Sequence, residues 1–129
     1  MPDKGVVRTE QAPAPFQGAP YSQAIRAGDL VFVSGQIALA PGSSELVGDT
    51  VEEQTEQVFR NLGAILEAAG TSLDRIVKTT VYLTDFGNFQ GMNEVYRAHV
   101  GKSPPARATV EVSALPSGAL VEIEAVALA

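Results

Sequence analysis

The chain has 129 residues, of which 45% are hydrophobic and 19% charged, values typical of one folded globular domain. It has no cysteine and one histidine, which excludes a disulfide scaffold, a thiolate or multi-histidine metal site and a cysteine nucleophile. Fifteen acidic residues against nine basic ones give a net charge of −6, so nucleic acid is a poor partner. No stretch resembles a signal peptide or a membrane span, and we therefore expect a cytoplasmic protein without a membrane partner.

Two strands are predicted near the start of the chain. Residues 1–17 are expected to form a partly extended N-terminal segment, and the prolines and glycine in residues 11–20 indicate a loop. Residues 21–40 then predict a short strand, a turn at Gly28-Asp29 and a long strand. The continuous run LVFVSGQIAL in the long strand is typical of burial on both faces.

Residues 50–69 predict an amphipathic helix. Apolar residues recur at spacings of three, four and seven from Val51 to Ala69, which places them on one face. A capping box formed by Thr50 and Glu53 marks the start, with Asp49 and Glu52 as an alternative one residue earlier, and Gly70 supplies the stop.

The second half of the chain predicts one more helix and three more strands. Residues 76–83 are rich in β-branched side chains, and residues 85–101 follow a helical period through Phe89, Met92, Tyr96 and Val100. After the break KSPP, two strands over 107–113 and 119–128 are joined by a turn at 115–118.

This order predicts an α+β fold in which two helices pack on one face of a mixed sheet, within a single domain spanning residues 1–129. The strand over 30–39 is apolar on both faces, yet two helices cover only one face of a sheet. We therefore expect the other face to be a contact between subunits of an oligomer.

Arg107 and Glu122 are the strongest candidates for chemistry. Arg107 begins a strand and shares a face with Thr109, so its guanidinium is either a clamp for a carboxylate or a surface group paired with a nearby acid. Glu122 and Glu124 share a face with Val126 and Leu128, which suggests either proton transfer in apolar surroundings or a solvated face.

Other polar residues have both a local and a functional interpretation. Ser34 is expected to satisfy its hydroxyl locally, and Gly35 inside a strand indicates a bulge or a close approach of backbone or ligand. Asn93 either faces a cleft or the solvent, and His99 is expected to be structural. No nucleotide-binding or metal-binding motif occurs, so we expect no cofactor and no metal.

Seven motifs together resemble the RidA (YjgF/YER057c/UK114) family, from about residue 18 to residue 127. They occur in the order and at the spacing of that family: PYSQAI at 20–25, VSGQI at 33–37, AAG at 68–70, IVKTTVYLTD at 76–85, MNEVY at 92–96, PPARATVEV at 104–112 and VEIEAVA at 121–127.

The resemblance implies a chorismate-mutase-like fold of the Bacillus type that forms a trimeric barrel, with active sites between subunits. It implies a cofactor-free deaminase that hydrolyses reactive enamine and imine intermediates, such as 2-aminoacrylate and 2-iminopropanoate, to 2-keto acids and ammonia. Arg107 matches the residue that binds the substrate carboxylate, Glu122 the one that activates water, and the Pro116 carbonyl a group that helps to hold that water. The other matching pocket positions are Tyr21, Ser34, Gly35, Asn93 and Thr109.

The physical argument agrees with this chemistry, because an imine is already an electrophile and needs no covalent nucleophile. Thr109 departs from the usual cysteine or serine of the family, and His99 and Val100 replace common aromatics, which bears on pocket shape. Two alternatives are a binding or chaperone-like trimer without catalysis and, less favoured by the acidic net charge, an endoribonuclease that inhibits translation.

Overall fold

The computed structural model describes residues 3–129, which form one six-stranded sheet with two α-helices. The strands follow the order β1-β2-β3-β6-β4-β5 across the sheet, and every neighbouring pair is antiparallel except β4 and β5, which are parallel. The mixed sheet predicted from the sequence is therefore confirmed. The elements are β1 (Lys4–Val7), β2 (Ala24–Ala27), β3 (Leu30–Gln36), α1 (Val51–Ala68), β4 (Ile76–Leu83), α2 (Phe89–Val100), β5 (Ala106–Glu111) and β6 (Val121–Leu128).

Helix α1 begins and ends where its sequence signals lie. The Glu53 backbone N–H donates to the Thr50 hydroxyl over 3.1 Å, and the Thr50 N–H donates to the Glu53 carboxylate over 3.2 Å, which completes the capping box. Gly70 has a φ of 83°, a conformation that few other residues adopt at a helix end. The predicted apolar face is buried throughout: Val51, Val58, Leu62, Ile65, Leu66 and Ala69.

Helix α2 starts later than the periodic pattern, because a 3-10 turn over Phe86–Asn88 precedes it. The Asp85 carboxylate accepts a hydrogen bond of 2.8 Å from the Gly87 N–H and so caps that turn. Met92, Tyr96 and Val100 are buried, as the helical period predicts.

The core lies between the helices and one face of the sheet. Val31, Val81, Leu83, Val121 and Ile123 are fully buried on that face and pack with the apolar side of α1. Phe32 and Leu128, on the opposite face, are 46% and 39% exposed. We call this second surface the open face; the expectation that the helices cover only one side is confirmed.

Three features differ from the sequence expectations. β1 is a regular strand paired with β2, within a segment expected to be only partly extended. β5 and β6 are not neighbours, although a short turn joins them, because β4 lies between them and pairs with both. β3 ends at Gln36 rather than near residue 39, since its register with β6 shifts between Val33 and Gln36.

Candidate functional site

Successive side chains of β6 point to opposite faces of the sheet, which separates its apolar residues from its glutamates. Val121, Ile123 and Ala125 face the core, while Glu122 and Glu124 project from the open face and are half-buried there. Val126 and Leu128 continue that alternation, so the predicted placement of the two glutamates beside apolar side chains is confirmed.

Glu122 lies in a small cavity of about 50 Å³, which we call the Glu122 pocket. Tyr21, Gly35 and Pro116 also line it, so four of the predicted site residues meet here. A Cβ atom at Gly35 would lie 2.6 Å from the Glu122 carboxylate oxygen Oε2, so any larger residue there would displace the Glu122 side chain. The expected bulge is confirmed, because Gly35 lies within the register shift of β3; the close approach is made by the Glu122 side chain rather than by backbone or ligand.

The environment of Glu122 favours its protonated form. Burial raises the pKa of its carboxyl, and the nearby negative charge of Glu124 raises that pKa further. Glu124 accepts a hydrogen bond from the Tyr82 hydroxyl, and this bond is the main reason that the pKa of Tyr82 is raised. A carboxyl in a pocket whose pKa is raised toward the working pH is suited to accept and return a proton.

Ser34, beside the pocket, and Tyr21, which lines it, are both held by local hydrogen bonds. The Ser34 hydroxyl donates to the Ser22 carbonyl over 2.6 Å, as expected for a serine that satisfies itself locally. The Tyr21 hydroxyl accepts a bond of 2.6 Å from the Phe16 N–H, and its side chain is 42% exposed.

Arg107 lies on the helix-covered side of the sheet. It pairs with Thr79 of β4, whose side chain is fully buried, and Thr109 pairs in the same way with Val81. Its guanidinium carbon lies 4.7 Å from the centre of the Tyr96 ring and 5.6 Å from that of Phe89, two cation–π contacts. Among residues 3–129 no carboxylate lies within ion-pair distance of Arg107, so the alternative of a surface arginine paired with an acid does not hold there.

Asn93 shares the face of α2 that Arg107 contacts. It follows Phe89 by four residues and precedes Tyr96 by three, a spacing that places all three on one side of a helix. Its side-chain oxygen Oδ1 is buried and has no hydrogen-bond partner within the described chain, so a polar group remains available for a ligand.

The predicted site residues therefore form two groups on opposite faces of the sheet. The Glu122 pocket, with Ser34 beside it, belongs to the open face, whereas Asn93, Arg107 and Thr109 lie on the helix-covered side. One chain does not bring Arg107 and Glu122 into one cleft.

The sequence did not reveal the aromatic side chains that contact Arg107 and Glu124. Phe89 and Tyr96 belong to the apolar stripe that the helical period predicts, and only their spacing around Asn93 signalled a shared face. Tyr82, which holds Glu124, gave no signal beyond its place in a strand.

His99 has a structural environment, as expected. Its ring nitrogen Nε2 lies 2.5 Å from a Glu56 carboxylate oxygen, and its ring stacks on Phe59 at 4.8 Å between ring centres. A groove of about 1210 Å³ next to His99, and another of about 780 Å³ along the N-terminal segment, are larger than the Glu122 pocket. We favour the small pocket because it contains the carboxyl whose pKa is raised.

Two further findings concern residues 3–129. They contain no group of three or more histidine, cysteine, aspartate or glutamate side chains arranged to hold a metal ion. No helix in that range has the length and apolar character needed to cross a membrane.

Comparison with known proteins places the chain in a family. Residues 9–129 match the family model described as Endoribonuclease L-PSP. The chain belongs to the RidA family. A RutC family protein of Pyrococcus horikoshii is 52% identical over 96% of this chain and 97% of its own length. The 2-iminobutanoate/2-iminopropanoate deaminase of mouse is 46% identical over 95% of this chain and 90% of its own length. Members of the RidA family as similar as this thus carry the name of imine deaminases.

Solved structures share the whole fold. RidA from a Psychrobacter species has a TM-score of 0.91 and 44% identity, with 97% of this chain and 99% of that chain covered. Escherichia coli TdcF, solved with bound serine, has a TM-score of 0.88 and 37% identity over 97% of this chain and 98% of that one. The expected RidA fold, two helices on a mixed sheet, is confirmed, and β1 makes the sheet six-stranded rather than five-stranded.

Proposed function

We propose that this chain is a hydrolytic deaminase that converts 2-imino acids, such as 2-iminopropanoate and its enamine form 2-aminoacrylate, to 2-keto acids and ammonia. The observation that carries the proposal is the half-buried carboxyl of Glu122, whose raised pKa and position in a small pocket suit a proton carrier. Names of relatives support the reaction class, since the mouse protein is called an imine deaminase. A cytoplasmic location and the absence of a cofactor are predictions from the sequence within the same proposal.

The reaction needs only a positioned water and a proton carrier. The ionised Glu122 takes a proton from water as the water oxygen bonds to C2 of the protonated imine, which forms a carbinolamine. Protonated Glu122 then gives that proton to the amino nitrogen, and the C–N bond breaks with its electron pair on nitrogen. The hydroxyl proton passes to the departing ammonia, so imine cation and water become 2-keto acid and ammonium.

Arg107 would bind the substrate carboxylate. Its guanidinium is flanked by Tyr96 and Phe89 and is free of carboxylates among the described residues, so its donors are available to an anion. The unpartnered oxygen of Asn93, on the same helix face, is a hydrogen-bond acceptor and so suits an N–H or O–H group of the ligand rather than its carboxylate. The serine bound by TdcF, which carries an α-carboxylate, supports this class of ligand.

A complete site then requires two copies of the chain, because Arg107 and Glu122 lie on opposite faces. We include in the proposal a homotrimer whose open faces pack together as a barrel, with each site combining Arg107 of one subunit and Glu122 of another. The exposed side chains of Phe32 and Leu128 support burial of that face.

Subunit complementation tests this arrangement. Arg107→Ala and Glu122→Gln are each expected to lack 2-iminopropanoate hydrolysis, while the two variants refolded together in equal amounts regain about one quarter of the wild-type activity, since one site in four draws both native residues. No recovery in confirmed mixed oligomers would contradict the shared site.

A wild-type protein that does not accelerate imine hydrolysis but binds 2-keto acids would instead favour the alternative of a binding trimer.

The name of the family model calls for a second control. If a nuclease-free preparation cut RNA and Glu122→Gln did not, the endoribonuclease alternative would replace the deaminase.

A further inference from the structure

A buried amide, that of Gln23, holds the N-terminal segment against the rest of the fold. The Gln23 side chain is 3% exposed. Its oxygen Oε1 accepts a bond of 2.7 Å from the Thr9 N–H, and its nitrogen Nε2 lies 3.0 Å from the Thr9 carbonyl, 3.3 Å from that of Ala12 and 2.8 Å from that of Pro13. One side chain thus fixes the backbone from residue 9 to residue 13.

The segment that Gln23 fixes leads directly into one wall of the Glu122 pocket. Pro13, Ala14 and Phe16 line that wall. The backbone carbonyl of Gln23 also accepts a bond of 2.9 Å from the N–H of Ser34, the residue before Gly35. Gln23 therefore connects the wall to the strand whose glycine touches Glu122.

A second part of the pocket lining is fixed separately to α1. Asn61 is 1% exposed, and its amide nitrogen donates to the carbonyls of Ile37 and Leu39 over 3.1 and 2.9 Å. Both of those residues line the pocket. Since this part of the lining is tied to a core helix, the width of the pocket depends on where Gln23 holds the N-terminal wall.

We propose that Gln23 is a positioning residue for the imine-hydrolysing site, which sets the width of the Glu122 pocket and keeps bulk water away from the carboxyl. The expected change in kcat rests on the proposed function, whereas the effect of Gln23 on the width of the pocket does not. The side-chain hydrogen bonds of Gln23 go to the backbone of Thr9, Ala12 and Pro13 and not to Glu122 or Arg107, so its effect passes through the wall.

Two variants test the proposal. Gln23→Met keeps the length of the side chain and removes both hydrogen-bonding groups, and Gln23→Asn keeps the amide but withdraws it by one methylene. If Gln23→Met does not fold, Gln23→Asn still displaces the amide from the segment.

The first measurement is the pKa of Glu122, obtained by NMR of ¹³C-labelled glutamate with Glu122→Gln to assign the signal. We expect both variants to shift this pKa toward the ordinary glutamate value, because the loosened wall admits water. The second measurement is the kinetics. We expect kcat to fall at least about tenfold and KM to stay within about twofold, since a displaced acid–base group affects the chemical step while Arg107 is unaltered.

Ile76→Ala is the matched control for lost stability. Ile76 is buried. It lies six residues along β4 from Tyr82, the residue of β4 that is paired with Glu122 of β6. At the rise of a strand, this separates Ile76 from Tyr82 by about 20 Å. The Ile76→Ala variant should have a lower thermal midpoint but an unchanged Glu122 pKa and an unchanged kcat.

An unchanged Glu122 pKa in folded Gln23 variants, or an equal change in Ile76→Ala, would overturn the inference. A wild-type protein without turnover would contradict the proposed deaminase, while the pKa measurement would still decide the role of Gln23.

Discussion

The two faces of the sheet are built from the same strands but carry different side chains. On the helix-covered face, Val81, Val121 and Ile123 are fully buried in a continuous apolar core. On the open face, Phe32 is 46% exposed and Glu122 and Glu124 carry ionisable carboxyls. A free monomer gains stability from the first face and leaves the second incompletely buried.

The alternation of side chains along each strand lets a short chain serve a core and a candidate site at once. Because successive residues of a strand point to opposite faces, β6 supplies Ile123 to the core and Glu122 to the open face without any extra element. Arg107 shows the reverse case, since it is a charged residue on the helix-covered side, where Tyr96 and Phe89 flank it. In the proposed trimer, the two groups become neighbours where one chain meets another.

The largest expected effect is the loss of activity in Arg107→Ala. Removal of a charged partner of the substrate carboxylate should lower kcat/KM by about a hundredfold or more, with little change in the thermal midpoint or the oligomeric state. Arg107→Lys should recover only part of this loss, because an ammonium group lacks the planar pair of donors.

The matched control is Arg75→Ala. Arg75 donates to the C-terminal carbonyl of Ala129, away from both groups of site residues. Equal activity of Arg107→Ala and Arg75→Ala would remove Arg107 from the site.

The next effect concerns assembly. Phe32→Glu places a charge on the open face, so we expect it to yield a folded monomer in sedimentation experiments and, with the shared site gone, an inactive one. Val47→Glu is the control, because Val47 is 38% exposed but lies in the loop before α1. If Phe32→Glu assembles as the wild type does, the open face is not the subunit contact.

The helix-covered face should respond in stability rather than in assembly. Leu62 is fully buried on α1, and Leu62→Ala should lower the free energy of unfolding by about 2–5 kcal/mol, measured with urea. Below its melting temperature this variant should keep its oligomeric state and its activity, the opposite of Phe32→Glu.

The elements that follow from local signals could be predicted from the sequence. The capping box of Thr50 and Glu53 and the apolar period from Val51 to Ala69 define α1, because both signals depend on residues within one helix. Gly35 was also predictable as a bulge or close approach, since a glycine weakens an apolar strand and commonly marks one of these two features.

Strand neighbours could not be predicted in the same way, because pairing depends on distant parts of the chain. The predicted turn that joins β5 and β6 does not reveal their neighbours, and β4 lies between them. The face on which Arg107 lies follows from its parallel pairing with Thr79, which no local pattern contains. For this reason the division of the site between two faces emerged only from the structure.

The smallest expected effect is a difference between the two faces in how stability depends on pH. Backbone N–H bonds from Asp49 and Thr50 lower the pKa of Glu53, on the helix side, whereas burial raises the pKa of Glu122 on the open face. A lowered pKa gives stability that is present above the ordinary value of 4.5 and is lost as pH falls through the folded-state pKa. A raised pKa has the opposite sign, since the folded state binds the proton more tightly and the free energy of unfolding falls as pH rises from 4.5 through the folded-state pKa.

Urea unfolding at a fixed protein concentration, between about pH 3 and pH 8, separates the two contributions. Glu53→Gln should flatten the loss of stability on the acid side, and Glu122→Gln should remove the decline above pH 4.5 while leaving the acid side unchanged. If Glu122→Gln left that decline unaltered, the fold would not raise the pKa of this carboxyl. The open face would then lack the proton carrier that distinguishes it from the core.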